Sequence, residues 1–220
     1  MTDSITATES PKRARARRGE GDLLRDEILD ATDRLLAEHG DIEMVSIRMI
    51  ADAVGVTAPS IYRHFADKDA LTFACCNRHF QGFRTALGAA AQGHSDNRRA
   101  LRAMGRAYYD WALANPIAYR LMFLSNKCEP PADLPEDEFH GKQALMDLAG
   151  IVSAGIASGE FRDCDPTTAA LGVWAMVHGV AALQLTVHDG EWKAHMPEHD
   201  HEQVIEFVLD TVEAGFMTPA

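Results

Sequence analysis

Between Gly55 and Phe65 the sequence reads GVTAPSIYRHF and contains no acidic residue, in a chain whose formal net charge is −12. A second stretch, Pro166 to His188, lacks Asp, Glu, Lys and Arg altogether. Cysteine is scarce: the four are Cys75, Cys76, Cys128 and Cys164. Two of them are adjacent and none forms a C-x-x-C pair, so neither a zinc site nor a disulfide framework is indicated. Reduced thiols in a cytoplasm are the expectation. The chain also lacks a G-x-S-x-G elbow, a phosphate loop and H-E-x-x-H, so it is not expected to be an enzyme or to need a cofactor or metal. No run alternates with period two for long, and no internal repeat is visible; the expected fold class is all-α.

What is present fits an ordinary globular protein: 220 residues, 46% hydrophobic and 25% charged. The charge-free stretch could span a bilayer by length. It contains His178, Gln184, two glycines and three threonines, and acids flank it. A helix buried in a core or interface is therefore expected, not a membrane span. The N-terminus is basic without an apolar core behind it, unlike a secretory signal.

Charge is uneven. Residues 12–18 carry five cations and no acid, whereas residues 133–138, DLPEDE, carry four acids and no base. An acidic total thus leaves room for a local basic surface of the kind nucleic acid needs. Residues 1–20 read as a disordered basic arm. Lys12 to Arg18 could serve as a solubilising tail or reach a minor groove.

Helical periodicity begins with Leu24, Ile28, Ala31 and Leu35 and ends near Gly40. Ser46 caps a second helix whose inward residues are Ile47, Ile50, Ala51 and Val54. Gly55 breaks it. Thr57 starts a short third helix with Pro59 in its first turn, and Asp67 caps a long fourth. Further helical patterns cover about 97–114, 117–125, 138–158, 167–187 and 201–216.

Two short helices joined by a glycine-containing turn, here VGVT, form a helix-turn-helix pattern. At about 100° per residue, Ile61 and Phe65 point inward while Pro59 and Arg63 lie nearly opposite. Ala58 and Ser60 are small enough for close approach to bases. Arg63 can grip guanine or a phosphate, and Tyr62 and His64 can donate to phosphate oxygens.

The block SIRMIADAVGVTAPSIYRHFADKDAL, Ser46 to Leu71, closely resembles the N-terminal domain of TetR-family transcriptional regulators. The matching pattern is Ser46, Ile50-Ala51, Ala53 to Thr57, then Tyr62-Arg63-His64-Phe65, Lys68 and Leu71. Val54, between Ala53 and Gly55, is the one local departure. The resemblance implies that Ser46, Tyr62, His64 and Lys68 contact the phosphate backbone. It also implies that Arg48, Thr57, Ala58, Pro59, Ser60 and Arg63 face or approach bases.

The resemblance further implies about nine helices in two domains: helix-turn-helix over 21–67, then ligand binding and dimerisation over 68–220. The expected function is a ligand-responsive dimeric repressor, cytoplasmic, released from a pseudo-palindromic double-stranded DNA operator by a small apolar molecule. A homodimer through the last two helices is expected, with Val173, Val177, Val180, Ala181, Val204, Val208 and Val212 as contact candidates. WAMVHG, Trp174 to Gly179, resembles a motif of one C-terminal subgroup; His178 is either a satisfied core histidine or part of a pocket or interface. Ligand-lining candidates are Phe80, Phe83, Tyr108, Trp111, Met122, Phe123, Met146, Trp174 and His178. Gly82 and Gly105 are compatible with close approach of a ligand or helix. HMPEHDHE, His195 to Glu202, reads as a solvated cap of the last helix, with metal binding the sharper alternative.

Overall fold

Helix boundaries follow the capping chemistry closely. In this computed structural model, which describes residues 21–187 and 200–216, helix α1 is Gly21–His39 and α2 is Ile47–Val54. The Ser46 hydroxyl accepts from the Met49 N–H at 3.2 Å, satisfying one donor left open at the start of α2. Gly55 closes α2 with φ +74°. Its N–H and that of Val56 donate back to Asp52 and Ala51 carbonyls. Helix α3, Ala58–Ile61, follows, and Asp67 caps α4, Lys68–Ala91, accepting from the Ala70 N–H at 2.7 Å.

The chain divides into two compact units within α4, between Cys75 and Cys76. In the first, α2 packs on both α1 and α3. Its core holds Leu24, Ile28, Ala31, Ile50, Ala51, Ile61 and Phe65 from the inward positions read from the sequence, together with Leu29 and Leu36, whereas Ile47 and Val54 of α2 are only half-buried. Leu36, one position past the expected Leu35, is the buried end of the α1 stripe. Each fully buried Ile or Leu contributes about 2–3 kcal/mol of transfer free energy. Arg25 lies over the Phe65 ring at 5.2 Å, tying α1 to the end of the helix-turn-helix.

A side chain at Gly55 would have open space but the wrong backbone. Left-handed geometry costs a β-branched residue about 1–2 kcal/mol. Gly55→Val is therefore expected to lower the stability of the first unit by roughly that amount, and Gly55→Asn by less, in chemical denaturation. Equal costs for the two variants would show that backbone strain is not the cause.

The second unit is a helical bundle. Helix α5, Asn97–Ala114, contacts α7, His140–Ala157, α8, Pro166–Val187, and α9, His201–Phe216. Between α5 and α7, the short α6, Pro116–Tyr119, runs on into a wide π-type turn over Arg120–Leu124. No strand occurs among the described residues.

Packing of α9 is fixed from two sides. Ile205, Leu209, Val212 and Phe216 form its buried stripe. A methyl group at Gly105 of α5 would stand 2.8 Å from Leu209 Cδ2, so glycine there is what lets α9 approach; Gly82 has no such neighbour. On the solvent side Arg102 bridges Glu206, Asp210 and Glu213, and Arg106 bridges Asp110, Glu202 and Glu206. Each such half-exposed pair contributes little alone, and the shared network chiefly sets the register of α9 against α5.

One expectation is revised. Cys76 and Cys128 are joined by a disulfide across 52 residues, with their Cα atoms 5.9 Å apart. Sequence spacing carried no sign of it, because the pairing depends on how the segment after α6 returns to α4. Cys75 and Cys164 take no part in a disulfide, and the Cys75 thiol lies 2.7 Å from Asp33 Oδ1. Helix α8, expected to be buried in a core or an interface, buries one stripe within its unit: Ala170, Val173, Val177, Ala181 and Leu185. Leu171, Met176 and Leu183 on the same helix are exposed. Lys12–Arg18, and His195 to His199 of HMPEHDHE, lie outside the described residues.

Candidate functional site

The first unit presents an outward face built on α3. Ile61 and Phe65, 0% and 4% exposed, seat this helix, and their burial forces Pro59, Tyr62 and Arg63 to the surface. Thr57, expected to cap α3, makes no such hydrogen bond. Its hydroxyl instead lies 3.1 Å from that of Ser60, which accepts from Arg63 Nη2 at 3.1 Å. Thr57, Ser60 and Arg63 thus form one polar line along α3, with the guanidinium folded back along it. Ala58 and His64 are half-buried beside this line.

Ser46 and Arg48 at the start of α2 are exposed, and Arg48 stands 4.0 Å from Asp52. Lys68 is less free than the sequence suggested. Its Nζ donates to the Glu43 carbonyl at 3.4 Å and lies 3.6 Å from the Glu43 carboxylate. Glu43 sits on the short turn Ile42–Met44, and its charge partly offsets that of this candidate anion-binding residue.

The second unit contains a cavity of about 710 Å³. Seven of the nine ligand candidates line it: Phe80, Phe83, Tyr108, Met122, Phe123, Trp174 and His178. Two do not. Met146 is exposed on the outer side of α7, and Trp111 packs edge-on against Phe83, with ring centroids 5.2 Å apart. Residues the sequence reading missed include Met104, Phe139, Leu148 and Lys142.

Polar atoms gather at one part of this wall. Trp174 Nε1 donates to the Tyr108 hydroxyl at 3.2 Å. The Tyr108 and Tyr119 hydroxyls lie 2.9 and 2.7 Å from His178 Nδ1 and 3.3 Å from each other. Burial pushes the Tyr108 phenol up to about 12 and raises that of Tyr119 as well, so both keep their protons. Burial also lowers the pKa of His178, favouring the neutral ring. Tyr119 escaped the sequence reading, although it stands three and four residues before Met122 and Phe123, the spacing of one helix face.

The dimer candidates divide. Val173, Val177, Ala181 and Val212 fill the second unit's own core, because the apolar stripes of α8 and α9 that carry them face α5 and α7. Val180, Val204 and Val208 are half-buried. Exposed apolar side chains on these helices are Leu171, Met176 and Leu183 on α8, the last two lying two turns apart, and Phe207 on α9.

An all-helical chain with a glycine-turned DNA-reading corner and a separate cavity-bearing bundle has the build of a DNA-binding transcriptional regulator. Residues 28–75 match the model for bacterial regulatory proteins of the tetR family. Residues 101–212 match the tetracyclin repressor-like C-terminal domain. The chain belongs to the TetR family of transcriptional regulators.

Among curated relatives, the HTH-type transcriptional activator FasR of Mycolicibacterium smegmatis is 30% identical over 110 residues, 50% of each chain. The chain spans about half the length of the first curated relatives it matches. A solved structure of a protein of unknown function from Rhodococcus sp. RHA1 superposes with a TM-score of 0.71 at 26% identity, covering 88% of this chain and 95% of that one. The regulator FadR from Bacillus subtilis, solved in complex with stearoyl-CoA, shares the fold with a TM-score of 0.65 at 17% identity, covering 87% and 99%.

Proposed function

We propose that this chain is a ligand-responsive, dimeric repressor that binds a pseudo-palindromic operator and is released by an apolar molecule. The observation carrying this reading is the apolar cavity in the second unit of a chain whose first unit bears the family's DNA-reading helix. Phosphate contacts are assigned to Ser46, Tyr62, His64 and Lys68. Arg48, Thr57, Ala58, Pro59, Ser60 and Arg63 are assigned to the base-facing side. Fold kinship with a regulator solved in complex with stearoyl-CoA supports an apolar effector. Helix α4 runs unbroken through the division between the units and is the natural route for a ligand signal.

The dimer is assigned to the exposed face of α8 and α9, where Leu183 is 60% and Phe207 71% exposed. Single exposed residues of this size need no explanation, but Met176 and Leu183 on one face of a charge-free helix favour a second copy as partner. A two-fold dimer reads two half-sites, and linking them raises affinity without new contacts.

Leu183→Glu with Phe207→Glu is expected to give a monomer in sedimentation velocity and to weaken binding to DNA from upstream of the chain's own gene by about tenfold. A wild-type chain that sediments as a monomer while gripping that DNA specifically would overturn the dimeric reading. A promoter reporter reads the sign of regulation: expression must rise when the gene is deleted.

A further inference from the structure

The cavity wall carries almost no charge. Among the described residues no acid lines it, and its one cation, Lys142, is paired at 2.7 Å with Glu136. Phe80, Phe83, Phe123, Met104, Met122 and Leu148 make most of the remainder apolar. Specificity within such a wall must come from the few polar atoms that reach it.

Those atoms can be assigned by counting hydrogens. Trp174 N–H can only donate, and it occupies the Tyr108 oxygen. With Tyr108 donating to the Tyr119 oxygen, the Tyr119 hydroxyl donates to His178 Nδ1 at 2.7 Å, a shorter approach than its 3.4 Å to the His178 carbonyl. With Nδ1 accepting, a neutral imidazole carries its hydrogen on Nε2. That Nε2–H has no hydrogen-bond partner among the described residues, although His178 lines the cavity and Nδ1 is fully engaged. Polarisation along the Trp174–Tyr108–Tyr119 chain favours this tautomer and orients the ring.

We propose that the cavity takes an apolar molecule bearing one uncharged hydrogen-bond acceptor, such as a ketone, ester or thioester carbonyl, which accepts from His178 Nε2–H. An ionised carboxylate is disfavoured at this donor. One neutral donor does not repay the desolvation of a full negative charge, whereas a carbonyl loses far less on leaving water. This assignment rests on the reading of the cavity as an effector site and names the chemistry of that effector.

Three probes of equal chain length decide it: 2-undecanone, undecanoate and undecane, titrated at pH 8 against the DNA-free full-length chain by tryptophan fluorescence. The ketone is expected to bind about tenfold more tightly than either of the others. In His178→Phe, which keeps an aromatic ring but removes the donor, the ketone's advantage over undecane should vanish. Met146→Ala, outside the cavity, should retain it. Undecanoate binding as tightly as the ketone, or a ketone preference undiminished in His178→Phe, overturns the proposal. Failure of all three probes to bind the wild-type chain also overturns it.

If His178→Phe does not fold, the ranking of the three probes on the wild-type chain still decides the matter. Release of upstream DNA by the ketone is measured separately. Selective binding without release would refute ligand response and leave the cavity chemistry standing.

Discussion

Tyr62→Ala combined with Arg63→Ala is expected to abolish sequence-specific DNA binding while leaving helix content and thermal unfolding unchanged. Both side chains point away from the core, Tyr62 being 52% exposed, and neither supports α3, which is seated by Ile61 and Phe65. Arg63 is poised for base or phosphate by its bond to Ser60, and Tyr62 lies on the flank where a phosphate oxygen would accept from its hydroxyl. A good bidentate base contact is worth about 1–3 kcal/mol. Because the double variant also gives up the Tyr62 hydrogen bond to phosphate, affinity for upstream DNA should fall by about two orders of magnitude or more. Fluorescence anisotropy at several salt concentrations is the measurement, and removing the Arg63 charge should flatten the salt dependence. Unchanged affinity with an intact fold would remove α3 from the interface.

Phe161→Ala should produce the largest loss of stability. The ring is 4% exposed and packs at 4.8 Å from the Phe216 ring at the end of α9. It also occupies the space a side chain at Gly155 of α7 would need. The backbone holds the same junction, since Arg162 N–H donates to the Phe216 carbonyl at 2.9 Å. Truncation therefore opens a cavity where α7 and α9 meet, at about 3–5 kcal/mol. For a chain of this length that corresponds to about 10 °C in melting temperature. A change of less than about 3 °C, or roughly 1 kcal/mol, would mean the junction collapses to fill the gap.

Much of the first unit is legible in the sequence because its determinants are local. Ser46, Gly55 and Asp67 act on backbone groups within four residues of themselves, so they mark helix ends without knowledge of the fold. The inward residues of α2 and α3 recur at helical spacing for the same reason. Lys68 shows where this stops. Its approach to Glu43 joins residues 25 apart in the chain, and the pairing follows from how α4 returns past the turn before α2.

The second unit was legible only as helices. Periodicity marked Asn97–Ala114 and His201–Phe216 as elements, and aromatic and methionine content named seven residues of the cavity wall. It could not say which face of α8 is spent inside. A helix apolar on every side carries no moment to orient it, so the choice of Val173, Val177 and Ala181 for the core belongs to its neighbours α5 and α7. Trp111 and Met146 show the same ambiguity, since an apolar side chain at helical spacing fits core, cavity or surface equally well.

By itself the sequence determined the all-α class, nearly every helix boundary and the family, and it nominated the residues proposed for the DNA-reading face. Capping, periodicity and a contiguous motif are short-range properties written along the chain. Tertiary structure alone decided the Cys76–Cys128 bond, the Arg102 and Arg106 bridges to α9, and the assembly of Trp174, Tyr108, Tyr119 and His178 on one wall. Those groups lie up to 111 residues apart, and only the packing of α5, α6, α8 and α9 brings them within bonding distance.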